Sequence, residues 1–165
     1  MLKEVYEFNK EKNGFKYDEA LEIKMYKEEV KEFFDANTTS ERLDALVDCS
    51  YVRMGTMCKL AYNGKGVHDL PYDKSVESLM VSILVEELGQ HMFDKVIRLA
   101  EDIVCNANAG KPNVLIDGKV SKDKNTIDAT KQIEEMLEYE QRLQAKVEDA
   151  HAKKQEELVD SKMNP

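Results

Sequence analysis

Two acidic rows set beside apolar faces, within residues 25–59, constrain this chain more than any other feature. On a 3.6-residue period Glu29 and Glu32 fall on one stripe, which Met25 and Glu22 continue, while Val30, Phe33 and Phe34 turn toward a core. After a polar break at 37–40, Asp44 and Asp48 share a second stripe with Tyr51. Leu43, Leu46, Val47, Met54 and Met57 supply its apolar side. Two such helices joined by a short turn are antiparallel neighbours, and their acidic rows can face each other across a groove. Facing carboxylates repel, and desolvation adds to the cost. A hard cation removes that penalty, because Mg²⁺ takes oxygen ligands from a few carboxylates and shares them with substrate phosphates. Acidic residues make up 33 of the 165, so the same pairs also arise on ordinary solvated faces, and spacing leaves both readings open.

The rest of the chain reads as more helix. Residues 2–12 form a short one presenting Val5 and Phe8, ended by Asn13 and Gly14. Asp18 caps a helix over 18–36, and Thr39 or Ser40 caps the next, which runs to Tyr62 before Asn63 and Gly64 stop it. Gly55 inside it costs about 1 kcal/mol relative to Ala and marks close packing or the approach of a ligand. A third long helix is expected over 74–105, begun by Asp73, with Val76, Leu79, Met80, Leu84, Met92 and Val96 on its apolar side. Glu87, His91 and Asp94 lie along its flank.

Residues 106–127 are turn-rich, and Asp117-Gly118 after Val114-Leu115-Ile116 suits a small hairpin or an ordered loop. Lysines there are suited to gripping phosphates beside a cation, although a plain solvent-facing connector fits as well. The last helix, 128–158, carries a broken heptad-like stripe of Ile133, Met136, Leu143, Val147 and Ala150, interrupted by Glu140. Its first half is expected to pack on the bundle or on a second subunit. The chain therefore reads as one all-α domain over 1–165: an antiparallel helical bundle with a small loop or hairpin insertion and a long C-terminal helix.

Composition narrows the partners. A formal net charge of −9 argues against broad affinity for nucleic acid, and no basic stripe interleaves with aromatics. A small phosphorylated ligand remains compatible, since a bound metal inverts the local field. Cys49, Cys58 and Cys105 are odd in number and share no metal-binding spacing, which fits reduced thiols in a cytoplasmic protein. No signal-like apolar stretch opens the sequence and no run is long enough to span a membrane, so no membrane partner is expected.

The order of Glu28-Glu29-Val30-Lys31-Glu32-Phe33-Phe34 and Leu43-Asp44-Ala45-Leu46-Val47-Asp48-Cys49-Ser50-Tyr51-Val52, then Gly55-Thr56, resembles the all-α nucleoside triphosphate pyrophosphohydrolases. These comprise the MazG proteins, the dimeric helical dUTPases and the phosphoribosyl-ATP pyrophosphatases. The look is nearest to the small MazG-like, phosphoribosyl-ATP-pyrophosphatase-like proteins met in phages, which would place this chain in a host cytoplasm. Asn106-Ala107-Asn108-Ala109-Gly110-Lys111 and Ile116-Asp117-Gly118-Lys119-Val120-Ser121-Lys122 are similar to a later family segment, and the likeness spans about residues 5–125.

The resemblance implies Mg²⁺, with Mn²⁺ as a substitute, held by Glu29, Glu32 and Asp48. It implies Asn108 and Lys111 near the substrate phosphates, with Lys119, Lys122 and Tyr51 as further substrate contacts. Glu29, Glu32 and Lys111 would be the catalytic groups. The substrate would be a nucleoside triphosphate, expected to be a deoxynucleotide, cut to monophosphate and pyrophosphate by a homodimer or homotetramer. Where the family has a Glu three residues before Asp48, this chain has Ala45, with Asp44 one position earlier. On an ideal helix Asp44 sits about 40° to one side of Asp48 and Ala45 about 60° to the other. Asp44 can therefore share Asp48's face without replacing the missing side chain, and it is counted with Glu29, Glu32 and Asp48 as an expected metal ligand. Metal held through Asp44, fewer ions, and a catalytically impaired member that binds a nucleotide or a protein all stay open. A di-iron bundle is disfavoured, because the residue three before His91 is Leu88 rather than Glu.

Overall fold

The computed structural model describes residues 1–111, 115–116, 119–120 and 128–163; the two short pairs and 156–163 are described as backbone alone. Six α-helices are found among them: α1 (Leu2–Asn13), α2 (Glu19–Asp35), α3 (Thr39–Tyr62), α4 (Ser75–Leu88), α5 (Gln90–Ala109) and α6 (Ala129–Met163). A single 3-10 turn, Val67–Asp69, lies between α3 and α4. Two-residue strands β1 (Leu115–Ile116) and β2 (Lys119–Val120) pair antiparallel, Leu115 with Val120 and Ile116 with Lys119, so of the forms left open for the turn-rich insertion the described backbone has the paired strands of a hairpin.

Helix α3 is the centre of the molecule. It packs on α1, α2, α4, α5 and α6, and it buries Leu43, Leu46, Val47, Cys49, Tyr51 and Leu60. Val5, Phe33, Met80, Leu84, Val96 and Ile133 close around it from the other five helices. Phe34, placed in the core by its position next to Phe33, is 50% exposed instead. One residue of α2 rotates the side chain by about 100°, so adjacent aromatics cannot both face α3. Leu79 is likewise on the outside of α4.

Local chemistry sets the helix ends. The Asp18 carboxylate accepts a hydrogen bond from Leu21 N at 3.1 Å. The cap of α3 is Thr38 rather than Thr39 or Ser40, because Thr38 alone stands three residues before a glutamate: Glu41 N donates to Thr38 Oγ1 at 3.2 Å, and Thr38 N donates to Glu41 Oε2 at 2.9 Å. The single helix expected over 74–105 is two. Gly89 adopts φ 76°, open to glycine and strained for other residues, and it ends α4 and begins α5. Helix α5 then continues past 105 to Ala109, so Asn108 sits on its last turn and not in a loop. Asn13 and Gly14 close α1 as expected, with Gly14 left-handed at φ 58°.

The first half of α6 packs against α3 and α5 through Ile133, Met136 and Leu137. Every residue from Gln144 to Gln155 is exposed, so the helix leaves the bundle there. No helix among the described residues is long and apolar enough to cross a membrane.

Candidate functional site

The register of α2 against α3 decides where the acidic rows lie. Thr56 Oγ1 donates to Glu22 Oε2 at 2.8 Å, and Lys59 Nζ reaches Glu22 Oε1 at 2.5 Å. One turn further along α2, the Tyr26 hydroxyl donates to Glu77 Oε1 at 3.0 Å, the carboxylate that also takes Arg53 Nε of α3 at 2.9 Å. These contacts fix an antiparallel pairing. Two turns along α2 from Glu22 bring Glu29, and two turns back along α3 from Thr56 bring Cys49, the neighbour of Asp48. Asp48 is thereby level with the span from Glu29 to Glu32.

These residues line one cavity of about 260 Å³, just below the usual range for small-molecule pockets. Glu28, Glu29, Glu32 and Asp48 form its acidic end, and Asn108 and Lys111 enter from the end of α5. Tyr51, Val52 and Gly55 of α3 and Met25 and Glu22 of α2 continue the wall, with Lys59 beyond them. Phe8, Asn9 and Asn13 of α1 complete the lining. Glu29 and Asp48 are half-buried, Glu32 is exposed, and Asn108 is buried. The negative field is felt nearby. The Cys49 thiol is pushed well above its ordinary value, first by burial and then by the charges of Glu29, Glu77, Asp48 and Glu32. Burial likewise raises the Tyr51 phenol, so it meets the cavity as a neutral hydroxyl.

Helix α1 braces this wall. Asn9 is 3% exposed and donates to Val5 O at 2.8 Å, and Asn13 Nδ2 donates to Asn9 Oδ1 at 3.1 Å. Gly55 is what lets α1 come so near: a Cβ there would stand 3.1 Å from Asn9 Nδ2. Lys12 Nζ donates to Lys111 O at 2.8 Å, tying α1 to the chain just past α5. Phe15 has the left-handed φ of 58°, unusual for a bulky residue. It is held by Asn13 Oδ1 on its N–H at 3.0 Å and by rings on both sides, Tyr6 at 5.0 Å and Tyr62 at 4.7 Å.

Of the residues singled out in the sequence, Glu29, Glu32, Asp48, Tyr51, Asn108 and Lys111 meet at this cavity. Asp44 is not among the residues lining it; its Oδ2 accepts a hydrogen bond from Thr130 Oγ1 of α6. Ala45 is buried in the core cluster. Lys119 lies on β2, while its side chain and the whole of Lys122 fall outside the described residues. His91 is exposed and away from the lining. Among the described residues no three His, Cys, Asp or Glu side chains converge closely enough to hold an ion unaided. Sequence reasoning missed Asn9, Asn13 and Lys59 as wall residues. The four-residue spacing of the two asparagines from Val5 and Asn9 was a usable sign of one buried face.

No protein-family model matches this chain, and neither a curated protein nor a solved structure matches it. The described residues form an all-α bundle whose central helix α3 and three neighbours, α1, α2 and α5, enclose a cavity with one acidic end.

Proposed function

We propose that the protein is a Mg²⁺-dependent nucleoside triphosphate pyrophosphohydrolase that cuts the bond between the α and β phosphates. The observation that carries this reading is the meeting of Glu29, Glu32 and Asp48 with Asn108 and Lys111 around one cavity, from three helices and the second residue past α5. Carboxylates gathered with a lysine and a buried amide match the needs of a phosphate chain carrying a hard cation.

The donor set fits magnesium. That ion keeps several waters and needs only one or two protein carboxylates beside substrate phosphates, so a preformed three-ligand cage is not required. Glu29, Glu32 and Asp48 would hold it; Mn²⁺ would serve in its place. When bound, the ion supplies neutralisation of the charge that grows on the phosphate oxygens. Glu29 or Glu32 orients the attacking water and takes up its proton. Lys111 steadies the departing pyrophosphate, and Asn108 donates a neutral hydrogen bond to a phosphate oxygen. Lys119 and Lys122 are further candidates for the phosphate tail. A deoxynucleotide substrate, a cytoplasmic setting and a homodimer or homotetramer belong to the same proposal and rest on the family resemblance.

A second reading has its own support. With Ala45 in the core and Asp44 bonded to Thr130, α3 brings one carboxylate, Asp48, to the acidic end where the family pattern has two, which favours a member that binds a nucleotide without cleaving it. Incubation with each common NTP and dNTP, with and without Mg²⁺, separates the two. Pyrophosphate released only with the metal supports hydrolysis, binding without product supports the second reading, and neither result removes both.

A further inference from the structure

The hydrolytic reading leaves two charged side chains unused at the far end of the cavity. Glu22 and Lys59 both line it and are 1% and 5% exposed, with Lys59 Nζ 2.5 Å from Glu22 Oε1. Taking two ions out of water costs several kcal/mol each, and a buried pair is often no more stabilising than apolar residues of the same volume. Such a pair on a cavity wall calls for a ligand more than for a role in folding.

Its geometry is set from behind. Thr56 Oγ1 holds Glu22 Oε2 at 2.8 Å, and the Tyr72 hydroxyl donates to Thr56 Oγ1 at 2.8 Å. The Tyr72 ring is stacked on Tyr26 at 3.9 Å, and Tyr26 is bonded to Glu77. The remaining Lys59 N–H groups and Glu22 lone pairs therefore form a fixed donor beside a fixed acceptor. Glu22 stands two turns of α2 from Glu29, about 10 Å, a separation that a nucleoside bridges.

We infer that this end is a nucleobase subsite, in which Lys59 and Glu22 read a lactam edge: an exocyclic oxygen beside a ring N–H, as in guanine, uracil and thymine. The ammonium meets the carbonyl oxygen, the strongest acceptor on such a base, and the carboxylate accepts the ring N–H. The inference rests on the triphosphate reading, which places the phosphates at the acidic end.

The test uses the full chain and the double variant Glu22→Gln/Lys59→Met, which removes both charges together and strands neither. Two quantities are read: kcat/KM for dGTP, dTTP, dUTP, dATP and dCTP with Mg²⁺, and calorimetric binding of inorganic tripolyphosphate with Mg²⁺. The wild type is expected to favour the three lactam substrates by at least about tenfold. In the double variant that preference falls below about threefold while tripolyphosphate binding stays within about twofold. A wild type without the preference, or a variant that keeps it, overturns the subsite and leaves the hydrolytic reading standing. A wild type that neither binds tripolyphosphate nor releases pyrophosphate overturns both. Should the double variant fail to fold, Tyr72→Phe is read the same way: a reduced preference supports the subsite and an unchanged one overturns it.

Discussion

The carboxylate of Asp44 accepts a hydrogen bond from the Thr130 hydroxyl, which commits the residue one turn before Asp48 to the contact between α3 and α6. Its stripe on the helix would have allowed it to join the acidic cavity. The contact instead makes it part of what docks α6 on the bundle.

Asp44→Ala should therefore act on stability more than on metal. Loss of one part-buried, charge-assisted hydrogen bond costs about 1–3 kcal/mol. Denaturant melts should show that loss, with Mg²⁺-dependent turnover within about threefold of wild type. Turnover lost at unchanged stability would place Asp44 among the metal ligands.

Gly55 gives a second prediction. An added methyl would press on Asn9 Nδ2 at 3.1 Å, and Asn9 is held by Val5 O and Asn13 Nδ2. Gly55→Ala gains about 1 kcal/mol of helix propensity, which the clash offsets. The melting temperature should change little while KM rises several-fold, because α1 and its asparagines are displaced from the wall. An unchanged KM would mean that α1 plays no part in binding.

Cys105 supplies a pH dependence. Burial is the main cause that pushes its thiol up to about 11, so the folded chain holds that proton more tightly than the unfolded chain does. Its contribution to stability is full below the ordinary thiol value, about 8.5, and is lost as the pH rises through about 11. Wild-type stability should fall more steeply than that of Cys105→Ala across this window. Parallel profiles would contradict the assignment.

The outer part of α6 can be removed. From Gln144 to Gln155 every residue is exposed, so that stretch adds no packing within the chain. Truncation after Leu143 should leave the melting temperature of the monomeric unit within a few degrees. Sedimentation of the same variant tells whether the exposed stretch joins two copies.

Much of this was legible in the sequence because helix periodicity is a strong local signal. The spacing of Glu29 and Glu32, with Val30 and Phe33 beside them, foretold both the course of α2 and its acidic stripe. Asp48 and Tyr51 did the same for α3. The break at Gly89 was hidden, since a lone glycine is tolerated inside helices and only the observed φ of 76° makes it a boundary. Asn108 looked like a loop residue because asparagines favour turns, yet packing carried α5 through it. The Glu22/Lys59 pair was illegible as a pair, because its partners lie on different helices and nothing local sets their register. The engagement of Asp44 was illegible for a related reason. Its angle on α3 could be read from the sequence, while the Thr130 hydroxyl that engages it lies far away along the chain.

The most direct measurement compares Mg²⁺-dependent pyrophosphate release by the wild-type chain and by Glu32→Gln, with circular dichroism melts of both. Glu32 lines the cavity and is exposed, so the amide should leave the fold intact while turnover falls by about a hundredfold or more. Near-wild-type release from Glu32→Gln would contradict an acidic, metal-holding centre between α2 and α3.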